Sequence, residues 1–134
     1  MSEYNDGLTK SLGEYFDNIV KIGEIAVESL KEQIDIETDN VETELRNNTP
    51  EATGGLKASL KRTKIQGSKR YGYRLEYQGN APDGTPYAKI ANILNSGTST
   101  IKPKRFIRKA VKKLKGLDNR AAKRLEEKLI KISN

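Results

Sequence analysis

A chain of 134 residues, 34% apolar and 32% charged, has room for one modest core under a large polar surface. It contains neither cysteine nor histidine, which excludes disulfides, thiolate nucleophiles, the commonest zinc and haem ligands and the usual proton shuttle of neutral-pH catalysis. The net charge of +7 hides a polarised chain: residues 1–51 carry −9 and residues 52–134 carry +16, so two faces of opposite sign are expected rather than one basic body.

The N-terminus, Met1-Ser2-Glu3-Tyr4-Asn5-Asp6, is polar and acidic, and no signal peptide is expected. No stretch approaches the roughly 20 apolar residues of a spanning helix, so no membrane contact is expected either. The first segment has helical periodicity. Leu8, Leu12, Phe16, Ile19, Val20, Val27, Leu30, Ile34, Val41 and Leu45 form one stripe, predicting a long amphipathic helix with a core-facing side. Asn47-Asn48-Thr49-Pro50 ends it, because proline disfavours helix in the residue before it.

Such a helix of about 37–40 residues would span roughly 55–60 Å. A compact domain of this size has a diameter of roughly 36 Å. The helix therefore bends, around Gly23 or Thr38-Asp39-Asn40, or packs on a neighbouring subunit. Ile22, Ile25 and Ile36 fall off the main stripe, either as scattered exposed isoleucines or as subunit contacts.

Beyond the Thr53-Gly54-Gly55 turn, Leu56, Ala58 and Leu60 predict a strand reaching Ile65, and Gly67-Ser68-Lys69 a turn. Tyr71, Tyr73, Leu75 and Tyr77 alternate with Gly72, Arg74 and Glu76, the pattern of a half-buried strand that pairs back as a hairpin. Residues 78–86 form a loop. Tyr87, Ile90, Ala91 and Leu94 suggest a short helix, with a strand as the alternative, before a second loop over 95–100. Phe106, Ile107, Ala110, Val111 and Leu114 then make one helical stripe. Leu117, Ala121, Leu125, Leu129 and Ile132 make another, with Gly116 as the break between them. The expected fold is a single α+β domain: a long acidic N-terminal helix over 1–50 packed on a small antiparallel sheet within 51–100, with basic C-terminal helices over 101–134.

No catalytic set, cofactor motif or metal site is expected. Asp35, Glu37 and Asp39 alternate like a calcium loop, but Asn40 and Arg46 stand where such a loop needs glycine and a bidentate acid. Gly79 to Thr85 has phosphate-loop spacing without the lysine, and Pro82 removes a backbone donor. Tyr71, Tyr73 and Tyr77 beside Arg70 and Arg74 could stack RNA bases, against the plainer reading of a core face. The strongest charge feature is residues 101–116, with Lys102, Lys104, Arg105, Arg108, Lys109, Lys112, Lys113 and Lys115 and no acid. These side chains could meet nucleic-acid phosphates nonspecifically, or dock against an acidic helix of another subunit.

The order of motifs resembles a known family. A long helix ends at Thr49-Pro50, and Thr53-Gly54-Gly55-Leu56-Lys57-Ala58-Ser59-Leu60 is similar to a "TG-x-L-x-x-S-hydrophobic" signature. An alternating strand, Pro86-Tyr87-Ala88 and the Ser96-Gly97-Thr98 turn follow. Last comes Lys104-Arg105-Phe106-Ile107-Arg108-Lys109-Ala110, similar to a "PF-hydrophobic-RPA" helix start. Together they resemble the gene-product-ten-like tail-component family of long-tailed bacteriophages, over residues 8–132. The chain departs from the pattern at Asn95-Ser96, where the family carries glutamate before the "GT" glycine, and at Lys109, which replaces a proline.

The resemblance implies a structural, non-enzymatic virion protein of the neck or tail-completion class. It would be located in the virion and, during assembly, in the host cytoplasm. Its partners would be further copies of itself in a ring, and the connector and tail proteins. Ile22, Ile25, Ile36 and Phe106 are the candidate subunit contacts, with Gly54, Gly55 and Gly97 as structural turns. The alternative is a small basic nucleic-acid-binding protein using residues 102–115.

Overall fold

The computed structural model describes residues 2–50 and 55–133. The fold is α+β. Helix α1 spans Ser2–Asn48, a single turn α2 spans Leu56–Ser59, and strands β1 (Leu60–Gly67) and β2 (Arg70–Tyr77) form an antiparallel two-stranded sheet. Helices α3 (Tyr87–Ser96), α4 (Phe106–Lys112) and α5 (Leu117–Ser133) complete the chain. Two compact units make up the fold: residues 1–33 with 118–134, and Ile34–Leu117.

Helix α1 continues unbroken through Gly23 and Thr38-Asp39-Asn40. Its end is built locally. The Thr49 amide and hydroxyl both donate to the Leu45 carbonyl, and the Asn48 side chain donates to the Glu44 carbonyl at 2.9 Å, so side chains and the following amide help close the helix end.

The expected strand from Leu56 begins four residues later. Leu56–Ser59 is a helical turn: Ser59 N–H donates to Gly55 O at 3.0 Å, and Leu60 then turns extended at φ −67°, ψ 118°. The burial explains the difference. Leu56, Ser59 and Leu60 are buried while Ala58 is exposed, a spacing of three and four rather than two. The hairpin itself is as expected, with Leu60 opposite Tyr77 and Gly67 opposite Arg70, leaving Ser68 and Lys69 as the connection.

In the unit Ile34–Leu117 the core consists of Val41, Leu45, Leu56, Leu60, Ala91, Phe106 and Ala110. Leu75, Tyr77, Tyr87, Ile90, Leu94 and Ile107 pack against it. Phe106, expected as a subunit contact, is only 1% exposed and stands edge-on to Tyr77 at 6.2 Å, so it is a core residue. The reason is periodicity. Phe106 and Ala110 are one turn apart on the face of α4 that meets the core, and burying a ring of that size contributes about 2–3 kcal/mol.

The long apolar stripe of α1 divides. Val41 and Leu45 are buried, but Ile19, Val20, Val27 and Leu30 remain 45–53% exposed. In the unit formed by residues 1–33 and 118–134, polar bonds join α1 to α5. Arg124 donates to Gln33 at 2.8 Å and to Glu32 at 3.1 Å, and Lys128 donates to Glu32 at 2.6 Å. Ser29 is buried there too, its hydroxyl without a hydrogen-bond partner among the described residues.

Candidate assembly and charge-contact surfaces

The basic cluster is carried by a strap and a short helix. At Gly97 the chain takes φ +76°, and a Cβ there would lie 2.7 Å from the Ile101 carbonyl and 2.8 Å from the Pro103 ring, so only glycine fits. Thr98 and Ile101 close a tight turn, and Lys104 N–H and Arg105 N–H donate back to the Leu94 and Asn95 carbonyls at 2.8 and 3.1 Å. Arg105 holds a left-handed conformation, φ 53° and ψ 26°. The cap of α4 comes from elsewhere in the chain: the Asn95 side-chain oxygen accepts the amides of Ile107 at 3.0 Å and Arg108 at 3.2 Å.

Lys102, Lys104, Arg105, Arg108, Lys109, Lys112 and Lys113 are all exposed. Arg105, Arg108, Lys109 and Lys112 recur at three- and four-residue spacing, and so share one stripe away from Phe106 and Ala110. Among the described residues, no salt bridge joins Lys102, Lys104 or any of these four to a carboxylate. The arrangement can hold an extended polyanion or an acidic helix face.

Of the candidate subunit contacts, Ile22 and Ile36 are exposed at 47% and 39%, and Ile25 is half-buried. Gly54 lies outside the described residues. Gly55 is the residue preceding α2, and a Cβ there would fall 2.0 Å from the Tyr87 hydroxyl oxygen. The more extensive apolar surface is the one expected to be core: Ile19, Val20, Val27 and Leu30. Its helical periodicity is legible in the sequence.

The tyrosine pattern resolves into a clamp. Tyr71 and Tyr73 donate from their hydroxyls to the Asp35 carboxylate of α1 at 2.6 and 2.7 Å. Those bonds, Tyr71 first, hold the Asp35 carboxyl below its ordinary range, helped by the nearby Lys64 and Arg62 charges. The Arg62 guanidinium lies 4.0 Å from the centre of the Tyr73 ring and pairs with Asp39 and Glu42. These rings fasten the hairpin to α1; Tyr77 reaches Thr49 at 2.8 Å and packs on Phe106.

Two other motifs resolve similarly. Asp35 and Asp39 are engaged with the hairpin, and no group of three or more metal-ligating side chains occurs among the described residues. In the 79–86 loop, the amides of Ala81, Gly84 and Thr85 donate within the loop to Thr85 O, Ala81 O and Asp83 Oδ1. These three amides are satisfied within the loop itself. Among the described residues no helix is long and apolar enough to cross a membrane. No family model, curated protein or solved structure matches this chain.

Proposed function

We propose that this chain is a structural subunit of the head–tail junction of a long-tailed bacteriophage, acting by self-association and by docking to connector or tail proteins. The observation that carries the reading is the apolar stripe Ile19, Val20, Val27 and Leu30, left exposed on a helix that bonds α5 through Glu32 and Gln33. An exposed stripe of that kind marks a contact with another protein surface. The ordered motifs from Thr49-Pro50 to Phe106 direct the reading to the phage neck, and the opposed charges of the chain suit head-to-tail packing in a ring.

The reading assigns the chain no catalytic step and no cofactor. It is tested by producing virions with the protein deleted: filled heads that fail to join finished tails are the expected outcome. Normal joining without it overturns the proposal. A second reading, nonspecific binding of DNA, is favoured by one observation: the stripe Arg105, Arg108, Lys109 and Lys112 has no carboxylate partner among the described residues.

A further inference from the structure

We infer that the N-terminal half of α1 pairs with the same segment of a second copy, as an antiparallel coiled coil in which Gly23 of each helix receives Val27 of the other. The inference rests on the self-association in the proposed function and adds to it a twofold contact, distinct from the charged head-to-tail one. Val20, Gly23, Val27 and Leu30 follow the alternating three- and four-residue spacing of a coiled-coil seam, with a β-branched residue at each of the two positions a heptad apart. Val20, Val27 and Leu30 stand about half exposed, and Ile19 flanks them. Among the described residues, the bonds to α5 come from Glu32 and Gln33 rather than from this side.

Gly23 is the second observation. Glycine is among the poorest helix formers, yet it stands inside a 47-residue helix. Beyond its own stretch of helix, no atom of the described residues lies within 4 Å of where its Cβ would be, so no described neighbour requires the missing side chain. What it leaves is a shallow groove of about 440 Å³ lined by Gly23, Glu24, Val27, Glu28 and Lys31. A groove of that kind is the hole into which a knob from a facing helix fits.

Direction follows from what fills the hole. A parallel pair sets Gly23 against Gly23 and leaves a void with no side chain on either side, forfeiting dispersion attraction. An antiparallel pair with Val20 opposite Leu30 sets Val27 opposite Gly23. Charge agrees with this choice. Asp17 and Lys31 are two heptads apart on one flank of the seam, so antiparallel pairing brings Asp17 near Lys31 of the other helix, twice by symmetry. In a parallel pair they are separated by about 21 Å along the axis. Glu24 then faces its own symmetry mate, the one unfavourable contact, and Glu24→Gln is expected to tighten the pair.

The chain has no cysteine, so engineered thiols report the register directly. Val20→Cys and Leu30→Cys variants of the full chain are oxidised separately and as an equimolar mixture. Rapid cross-linking of the mixture, with little in either variant alone, is the expected result. Cross-linking in each variant alone means a parallel pair and overturns the register.

Light scattering supplies the second arm. Val27→Asp, at an exposed position, is expected to weaken association at least tenfold with unchanged circular dichroism. Asp17→Lys is expected to weaken it roughly fivefold, and the double variant Asp17→Lys/Lys31→Asp to restore it. An oligomer that persists in Val27→Asp and forms no mixed cross-link overturns the seam but leaves the assembly reading intact. A monomer at every concentration overturns the pairing and, with it, self-association of the free chain; virion assembly with the protein deleted still tests the neck role separately.

Discussion

Gly55 and Tyr87 are fitted to one another: a Cβ on residue 55 would fall 2.0 Å from the Tyr87 hydroxyl oxygen and 2.8 Å from the ring carbon that bears it. The contact joins the turn before α2 to the first residue of α3 and helps set α3 beside Leu56 and Leu60 in the core. Gly55→Ala is expected to destabilise the protein by about 1–3 kcal/mol through overpacking. Combining it with Tyr87→Phe removes the nearest atom but not the ring, so part of the loss should return. Urea denaturation of the four members of the cycle measures the coupling; strictly additive effects would show that the two residues do not share this space.

Asn95 should behave as a helix cap although it lies in a different helix. Its oxygen accepts two amides of the first turn of α4, so Asn95→Ala is expected to cost about 1–2 kcal/mol and Asn95→Asp much less. Arg105 supplies the opposite sign. Its left-handed backbone favours glycine, and Arg105→Gly should raise the midpoint by the equivalent of about 1 kcal/mol while removing one charge from the basic stripe. Thermal melts of the three variants decide both, and a stabilised Asn95→Ala would refute the capping role.

Local signals carry most of the architecture. Pro50 ends α1, the alternation from Tyr71 to Tyr77 marks β2, and Gly116 separates α4 from α5. Leu56–Leu60 departs from the expected strand because Leu56, Ala58 and Leu60 fit a strand as well as a turn; only the exposure of Ala58 separates the two. The α1 stripe is legible as apolar, but periodicity cannot say how far a partner surface extends, and the core covers it only from Val41 onward among the residues Asp17–Asn48. Phe106 heads a basic segment and so resembles a contact residue, yet its one-turn spacing to Ala110 marks a core face. The Asp35 clamp joins residues 36 and 38 positions apart in sequence, and no local pattern announces such a pairing.

That clamp makes stability depend on pH in a stated direction. Asp35 is held below its ordinary value, chiefly by Tyr71, so the unfolded chain takes up the proton first as the solution is acidified. Its contribution is fully present above the unfolded value of about 3.9 and is lost as pH falls through the lower folded one. Tyr71 is pushed up, chiefly by Asp35, so its contribution is present below about pH 10 and is lost as pH rises through the folded value. Carboxyl NMR titration should show Asp35 moving upward in Tyr71→Phe, with a lower urea midpoint at pH 6. An Asp35 titration unchanged by the substitution would mean that the hydroxyl does not hold the carboxylate.

The basic stripe separates the two functional readings by its response to salt. If Arg105, Arg108, Lys109 and Lys112 meet DNA phosphates, duplex binding should fall steeply between low and physiological salt, with the logarithm of affinity linear in the logarithm of salt. Replacing Arg108 and Lys112 with glutamine should then lower that slope by about 0.9 for each phosphate no longer neutralised, and do so equally for unrelated sequences. If the stripe instead docks on an acidic helix of another subunit, the same variants should weaken oligomer formation, with little duplex bound even at low salt. The two surfaces are distinct in the chain, since Ile19 to Leu30 carries the apolar seam and residues 102–113 the charge. Val27→Asp should therefore leave the salt slope of DNA binding unmoved, and a slope that changes with it would show that DNA is bound by the assembled oligomer rather than by the free chain.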